Sequence, residues 1–375
     1  MPQFLAVTSR GLSDVLAEEL KELGFDAKVK GLAGVTFESN WEGVYRANLE
    51  LRTATRVIKP VMDFPAYNPE ELYANILKHD FTKYINPTQT FAIDAAVRES
   101  SFRDQRFVAM KIKDAVADQF REKFGERPSV DRDEPDLVIM AKIVKNQVSI
   151  AIDTTGDSLS NRGYRSEAGE APLREHLAAG LLRFADVKPD TVVVDPMCGS
   201  GTILIEAALR ARAIAPGSLR QKKYAFQKLK DFKAEAWDKV VTESLDRESA
   251  ASPAHFYGYD KDGDVLEIAR RNAERAGVDN DITFKYGAVD QLEAPAEKGV
   301  IIVNPPYGER LGVTEELKDV YRDLAYSLKR NFKGWTCWLL SGNEDLTKSL
   351  KLKSTRRCPV FNGSIECRFL EYKVN

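Results

Sequence analysis

The sequence has no surplus of positive charge. Its 55 Lys and Arg residues stand against 57 Asp and Glu residues, which gives a formal net charge of -2 at pH 7. Proteins that hold nucleic acid by bulk electrostatics carry a basic surplus, because they neutralise many phosphates at once. The composition is unlike that class. Any contact with a polyanion must therefore be made by local clusters of basic residues.

Potential metal ligands are also scarce. The chain has four cysteines and three histidines, and no two cysteines form a CxxC pair. The spacing matches no zinc site, and free buried thiols are the expected state of the cysteines. We therefore expect no metal. The cysteines are Cys198, Cys337, Cys358 and Cys367.

Long apolar runs and targeting segments are missing as well. No run approaches the roughly 18 to 20 apolar residues that span a bilayer. The N-terminus, Met1 to Thr8, lacks the charged, apolar and small-residue sections of a signal peptide. The sequence therefore predicts no membrane span and a cytoplasmic protein.

The length of 375 residues exceeds what one hydrophobic core usually supports, so two or three packed units are expected. Residues 1–65 have the periodicity of a βαββαβ unit, which predicts a ferredoxin-like fold. Residues 66–160 follow with an ααβαββ order, after Pro65, Asn68 and Pro69 interrupt the chain. The polar residues 154–160 then predict a linker.

The remaining residues, 161–375, alternate strand and helix, which is typical of a parallel, doubly wound α/β sheet. Its ending is different, because two apolar segments flank Asn362-Gly363, a strong hairpin dipeptide. A terminal antiparallel hairpin is expected. That ending separates a Rossmann-like methyltransferase sheet from a nicotinamide-binding one.

A glycine-rich turn joins the first predicted strand of this domain to a helix, in the segment Asp195 to Thr202. Gly199 and Gly201 let the backbone approach a ligand at the helix N-terminus. The turn is not a Walker loop, since no Lys-Ser/Thr pair follows it. It is also a poor dinucleotide fingerprint, because Leu204 occupies the third glycine position.

Two acidic residues follow the next predicted strands. Asp260 stands where a ribose diol is usually held, although it or Asp262 could instead cap the following helix. Asp290 lies at the same edge of the sheet and could accept from an adenine amine. A solvated loop acid is an equally good interpretation of Asp290.

The sharpest pattern is Asn304-Pro305-Pro306-Tyr307, directly after an apolar strand. The amine of a nucleobase is a weak nucleophile, because its lone pair is delocalised into the ring. Hydrogen bonds from that amine to the Asn304 side-chain oxygen and the Pro305 carbonyl would localise the lone pair toward a sulfonium methyl group. Tyr307 offers a face for base stacking, a contact of about 1 to 3 kcal/mol.

These two motifs resemble those of the THUMP-domain RNA guanine-N2 methyltransferases, especially the branch acting on large-subunit (23S) ribosomal RNA. The likeness covers nearly the whole chain, including Asn161 to Arg165 and the long segment between Gly201 and Asp260. It implies that residues 66–160 are a THUMP RNA-binding module. It also implies that residues 161–375 are a class I S-adenosylmethionine methyltransferase domain.

The resemblance implies S-adenosylmethionine as the cofactor and N2-methylation of a guanosine as the reaction. The residues implied at the cofactor are Asp195, Pro196, Cys198, Gly199, Gly201, Thr202, Asp260 and Asp290. The implied catalytic residues are Asn304, Pro305, Pro306 and Tyr307.

RNA, preferably ribosomal RNA, is the expected partner. The basic cluster at Arg162, Arg165 and Arg174 is the expected contact, and further clusters at 210–223 and 351–357 could also meet phosphates. Four alternatives stay open: transfer RNA as the substrate, adenine-N6 methylation, another amide or amine acceptor, and a catalytically silent RNA-binding protein. The motifs indicate no oligomeric state.

Overall fold

The N-terminal part of the computed structural model has the predicted βαββαβ order. The model describes residues 1–165, 173–306 and 314–374. The first elements are β1 (Gln3–Val7), α1 (Ser13–Glu22), β2 (Ala27–Val29), β3 (Gly34–Glu38), α2 (Trp41–Glu50) and β4 (Arg56–Pro65). Alternate residues of β1, Phe4 and Ala6, are fully buried under the two helices. The ferredoxin-like prediction is confirmed.

The second unit contains α3 (Pro69–Ile76), β5 (Thr90–Arg98), α4 (Gln105–Phe124), β6 (Ser129–Val130), β7 (Leu137–Val144) and β8 (Gln147–Asp153). Asn68 caps α3 by accepting from the amide of Glu71, and α4 ends at Gly125, whose φ is +76°. The helix predicted near residue 81 is a single 3-10 turn, Phe81–Lys83. Strand β6 was not predicted, because two residues carry no periodic signal.

The two N-terminal units share one sheet. Strand β4 pairs antiparallel with β8 from Ile58 opposite Asp153 to Pro65 opposite Gln147. The result is an eight-stranded sheet in the order β2-β3-β1-β4-β8-β7-β5-β6. The sequence predicted two separate modules, because nothing local in a strand specifies which distant edge it will pair with.

The C-terminal domain is a seven-stranded sheet flanked by helices. Its elements are α5 (Glu175–Phe184), β9 (Val193–Asp195), α6 (Thr202–Ala211), α7 (Ala234–Leu245), β10 (Phe256–Asp260), α8 (Gly263–Arg275), β11 (Ile282–Tyr286), β12 (Val300–Val303), α9 (Glu315–Asn331), β13 (Thr336–Ser341), α10 (Glu344–Ser349), β14 (Arg356–Asn362) and β15 (Ile365–Lys373). The strand order is β11-β10-β9-β12-β13-β15-β14. Strand β15 runs antiparallel to both β13 and β14, so the predicted hairpin ending is confirmed.

Both faces of this sheet are covered. Val193 of β9 belongs to the apolar cluster that contains α5, α6 and α8, whereas the next residue, Val194, belongs to the cluster beneath α9. Adjacent residues of one strand therefore pack into different layers, as a doubly wound sheet requires. The α/β fold predicted for this domain is confirmed.

The segment predicted as a linker is buried. Thr154 and Thr155 are fully buried, and the Thr155 hydroxyl donates to the Asn48 side-chain oxygen at 2.6 Å. The stretch predicted as a linker therefore begins inside the folded structure, although Asp157 in its middle is exposed. Polar composition could not reveal this burial, because a threonine whose hydroxyl makes a buried hydrogen bond looks the same in the sequence as a threonine exposed to water.

The segment between α6 and β10 packs on the first unit. The Tyr45 ring stacks on Phe226 with a centroid distance of 4.5 Å, and Val240 of α7 joins the same apolar cluster. The C-terminal domain thus contacts the N-terminal sheet through a shared aromatic cluster as well as through the chain connection. Within the described residues, no helix is both long and apolar enough to cross a bilayer.

Candidate active site

The glycine-rich turn connects β9 to the first residue of α6. Gly199 and Gly201 have φ values of +52° and +80°, in the left-handed region that L side chains rarely adopt. A Cβ atom on Gly201 would also lie 3.1 Å from the Phe284 ring and 3.2 Å from Ala269. Glycine is therefore required here, and the turn presents its amides at the positive end of α6.

Asp195 ends β9 and is only 2% exposed. One carboxylate oxygen accepts from the amide of Met197 at 3.2 Å. Burial, together with a smaller effect of the nearby Asp260 charge, raises the pKa of Asp195 to about 8. Such a carboxyl group is suited to a cationic ligand, because a positive charge beside it would stabilise the ionised form.

Asp260 ends β10 and reaches across to the turn. Its carboxylate accepts from the amide of Gly199 at 2.9 Å and from the amide of Asp262 at 3.1 Å. Asp262 is the residue that caps α8, accepting from the amides of Asp264 and Val265. The helix cap is therefore Asp262, and Asp260 is left to face the cleft beside the turn.

Asp290 lies in a 3-10 turn, Val289–Gln291, after β11, and it is exposed. The amide of Gly287 donates to the carbonyl of Asp260 at 3.1 Å, which brings this loop to the edge of the sheet. In the described parts of the chain, no hydrogen bond joins the Asp290 carboxylate to Asp195 or Asp260. The structure places Asp290 at the correct edge without connecting it to the turn.

Asn304 and Pro305 follow β12 directly. The Asn304 side-chain oxygen is buried and has no hydrogen-bond donor among the described residues. The Pro306 carbonyl accepts from the Tyr321 hydroxyl at 3.5 Å, which ties the second proline to α9. A buried oxygen without a donor is costly and uncommon, so this atom is available to a ligand amine. Tyr307 lies outside the described residues.

These groups converge because β10, β9 and β12 are parallel neighbours. Gly258 pairs with Asp195, and Ile301 of β12 pairs with Val194. The carboxyl ends of the three strands therefore meet at one edge. Strand order reverses at β9, and crevices at such reversal points bind ligands in open α/β sheets.

Family models match three consecutive parts of the chain. Residues 3–58 match an RlmL ferredoxin-like domain, residues 66–153 match a THUMP domain, and residues 162–371 match an RMKL-like methyltransferase domain. The last match covers more than half of the chain. The chain belongs to the RMKL-like methyltransferase family. The resemblance drawn from the motifs is thereby confirmed.

Proteins with similar sequences support membership in this methyltransferase family. A Synechocystis protein named as an RNA methyltransferase is 38% identical over 99% of the chain and 96% of its own length. A protein of Syntrophotalea carbinolica named ribosomal RNA large subunit methyltransferase K/L is 37% identical over 99% of the chain. The chain spans about half the length of that relative, 53%.

Two solved structures have the same fold over the full chain. One, a methyltransferase-type protein described as a complex with SAH, has a TM-score of 0.92 and 29% identity, with 98% of that chain covered. The other, named as an N6-adenine-specific DNA methylase from Listeria monocytogenes, has a TM-score of 0.90 and 30% identity, with 96% covered. Both matches cover 100% of the methyltransferase chain.

Two residues that support the glycine turn of the methyltransferase were missed by sequence reasoning. The fully buried Asn272 donates from its side-chain amide to the Ser200 carbonyl at 3.1 Å. Gly258 lets β10 approach the turn, since a Cβ atom there would lie 3.0 Å from the Cys198 sulfur. The Cys198 side chain thus belongs to the core, and only its backbone borders the site. An Asn on the buried face of a helix was the available signal.

The three arginines predicted to contact RNA lie in different environments. Arg162 is 2% exposed, pairs with Glu206 at 3.4 Å and donates to the carbonyls of Leu159 and Arg52. The prediction that Arg162 contacts RNA is wrong, because its charge is consumed in the interior. Arg174, just before α5, is exposed, and its contact with RNA stays a prediction.

Arg165 contacts the glycine-rich turn. Its guanidinium is 15% exposed and donates to the hydroxyls of Ser200 and Thr202, both at 3.1 Å, and to Glu175 at 3.0 Å. Its contact with RNA stays a prediction, and these bonds within the protein already use much of its donor capacity. The same bonds show that the hydroxyl of Thr202 faces Arg165.

Proposed function

We propose that the protein transfers a methyl group from S-adenosylmethionine to the N2 amine of a guanosine in 23S ribosomal RNA. The observation that carries the proposal is the buried Asn304 oxygen, which receives no hydrogen bond from the described residues and lies at the same strand edge as the glycine turn. Such an acceptor suits a donor amine attached to a planar ring. The match to a THUMP domain and the names of the relatives support RNA as the molecule that carries the amine.

The residues at the glycine turn fit the proposed cofactor. The buried Asp195 carboxyl is suited to its positive charge, and Asp260 to a ribose diol. Gly199 and Gly201 keep the turn free of side chains, while Pro196, Cys198 and Thr202 shape its walls. Asp290 is proposed for the adenine amine. When bound, the cofactor supplies an electrophilic methyl group on a sulfonium.

The chain's own residues orient the amine and exclude water. We place one N–H of the amine on the Asn304 oxygen and the other on the Pro305 carbonyl, which favours a pyramidal nitrogen. Pro305 and Pro306 lack amide donors, so neither competes for these acceptors. Tyr307 is proposed to stack on the base. The new N–C bond would form as the methyl C–S bond breaks to leave a neutral thioether, and the nitrogen would then lose one proton to water, so no strong base is needed.

RNA recognition is proposed to be divided along the chain. We propose units at 1–65, 66–160 and 161–375, which the three matched family models support. The near-neutral total charge favours recognition of folded RNA by shape, with Arg174 as one local phosphate contact. Ribosomal RNA as the substrate implies that the protein acts in the cytoplasm.

One other acceptor has a specific observation in its favour. The Listeria structure with 30% identity is named for adenine-N6 methylation of DNA. Adenine N6 is also an amine on a planar ring, so the Asn304 oxygen would serve it equally well. The two acceptors differ in the molecule that must be bound, and the second unit argues for RNA.

Methyl transfer from labelled S-adenosylmethionine tests the proposal. We expect label in 23S ribosomal RNA, with N2-methylguanosine after nuclease digestion and mass spectrometry, and none in transfer RNA or DNA. Label confined to DNA, transfer RNA or protein would overturn the substrate. Calorimetry with Asp260→Ala is expected to show lost cofactor binding, and unchanged binding would contradict the cofactor site.

Asn304→Ala tests the proposed role of the side-chain oxygen. We expect turnover to fall by at least about 100-fold, the scale seen when one preorganised polar contact is removed from an active site. Cofactor affinity by calorimetry should stay within about twofold, because Asn304 is assigned to the base. Retained turnover would contradict the amine-acceptor mechanism.

A further inference from the structure

A cavity separate from the active site lies where the first N-terminal unit meets the methyltransferase domain, at the ends of α1, α2, α5, α6 and α7. Its volume is about 220 Å³. Such a volume holds many times the roughly 10 to 15 Å³ of this measure that one water requires. Charged side chains dominate its walls. They are Glu19, Glu22, Glu50, Arg52, Arg183, Arg210 and Arg247.

The three glutamates of this cavity are already committed. Glu22 accepts from Arg183 at 2.6 and 3.0 Å, and Glu50 accepts from Arg247 at 2.6 Å. Glu19 accepts from two backbone amides and one hydroxyl of the loop after α2, at 2.5 to 3.0 Å. The three carboxylates thus already accept hydrogen bonds, and Arg183 lies 3.8 Å from Glu19 as well as beside Glu22. Four arginines against three glutamates leave a surplus of one positive charge on the cavity walls.

Arg210 carries that surplus. No carboxylate of the described residues lies within 4 Å of its guanidinium, and its Nη1 atom is buried without an acceptor. Two neighbouring guanidinium atoms, Arg52 Nη1 and Arg183 Nε, are also buried without an acceptor. Three guanidinium nitrogens around one cavity thus have no acceptor among the described residues, whereas most buried polar atoms in proteins have a hydrogen-bond partner.

The electrostatics of the cluster indicate a missing anion. Burial and then the charge of Arg183 lower the pKa of Arg210, and the charges of Glu22, Glu19 and Asp186 offset this only in part. Burial likewise lowers the pKa of Arg52 to about 10. The C-terminus of α6 favours a positive residue, which explains a charge at Arg210 but not its lack of acceptors.

We propose that this cavity binds a phosphate group. A phosphate offers several charged acceptor oxygens, and guanidinium groups bind such oxygens with fork geometry. The phosphate could be free in solution or belong to the backbone of a bound RNA, because the chemistry at the arginines is the same. The site itself does not rest on the proposed methylation, since its argument uses none of the active-site residues.

Inorganic phosphate tests the site on the full-length protein. We expect a saturable rise in Tm with phosphate that chloride at equal ionic strength does not give, and broadening of the ³¹P resonance of phosphate by the protein. Arg210→Gln should abolish both effects. Arg330→Gln, an exposed arginine at the end of α9, is the matched control and should retain them. No saturable effect on the wild-type protein, with no effect of Arg210 on RNA binding, would overturn the proposal.

The source of the phosphate is separated by RNA binding at several salt concentrations. If an RNA phosphate occupies the site, Arg210→Gln lowers the slope of log K against log salt by about 1, and inorganic phosphate competes with RNA. If a free anion occupies it, RNA affinity is unchanged while phosphate binding is lost. Arg210→Lys keeps the charge but should bind phosphate more weakly than the wild type. If both Arg210 variants lose phosphate binding and their circular dichroism shows altered folding, the ³¹P titration of the wild-type protein decides whether the site binds phosphate.

Discussion

At the residue scale, the active site combines a carboxyl group and an amide oxygen for which the described residues supply neither a counterion nor a hydrogen-bond donor. Asp195 is buried beside the glycine turn, and the Asn304 oxygen is buried at the neighbouring strand end. Each is unfavourable in isolation, and each is relieved by a ligand group of matching chemistry, a cation for the first and an amine for the second. Both ligand groups are present in the proposed reaction.

Cofactor affinity should therefore depend on pH through Asp195. Its pKa is raised to about 8, so below pH 8 the carboxyl group is largely protonated and must release a proton to face a cation. We expect affinity to rise between pH 6 and 8, by up to about tenfold per unit, and to level off above pH 8. Calorimetry in buffers of different ionisation enthalpy measures the released proton. Asp195→Asn should lose this pH dependence; the same slope in both proteins would refute the role of Asp195.

At the element scale, the turn between β9 and α6 is held by groups from outside its own sequence. Asp260 binds one end through the Gly199 amide, and Asn272 and Arg165 bind the other end near Ser200. Arg165 comes from the segment that connects the N-terminal sheet to the methyltransferase domain. It is a positioning residue, since it touches the turn and is not assigned to any ligand.

Arg165→Lys should loosen the turn without altering the chemistry. Lysine keeps the charge but cannot donate to Ser200, Thr202 and Glu175 at once. We expect the KM for S-adenosylmethionine to rise by about tenfold, roughly 1.4 kcal/mol, while kcat changes by less than about twofold. The exposed Arg330→Gln variant should change neither constant. A fall in kcat at constant KM would assign Arg165 to the reaction and not to the turn.

Local sequence predicted the elements well and their long-range partners poorly. The βαββαβ order, the doubly wound sheet and the Asn362-Gly363 hairpin each have a periodic or turn signal, and each is present. The β4–β8 pairing and the burial of Thr155 have none, because both depend on residues about a hundred positions away. The prediction for Arg162 also failed because of a long-range partner, since Glu206 lies on the helix after the glycine turn.

At the scale of the whole molecule, one histidine joins three parts of the chain. The ring of His176 on α5 contacts the Ser9 hydroxyl at 2.6 Å and the Ser160 hydroxyl at 2.5 Å. It is buried, and this burial, together with the charges of Arg162 and Arg174, lowers its pKa to about 3. His176 is therefore neutral in the folded protein across the physiological range.

Stability should fall in mild acid because of this junction. The pKa of His176 is near 6.5 in the unfolded chain and about 3 when folded, so only the unfolded state gains the proton between these values. Its contribution to the free energy of unfolding is complete above pH 6.5 and decreases as pH falls, by at most about 1.4 kcal/mol per unit. Urea denaturation from pH 7 to 5 should show a shallower decrease for His176→Gln. Equal slopes would show that His176 does not titrate on unfolding.

The shared N-terminal sheet has a consequence for how a target base could be chosen. Seven residue pairs on both sides of a bulge between Pro60 and Met62 join β4 to β8, so the two N-terminal units cannot hinge against each other without breaking this ladder. Under the proposed function, the distance from an RNA element held by the second unit to the Asn304 oxygen is then set by the protein. The enzyme would select its guanosine by measuring a fixed length along folded RNA, and not by reading the bases beside it.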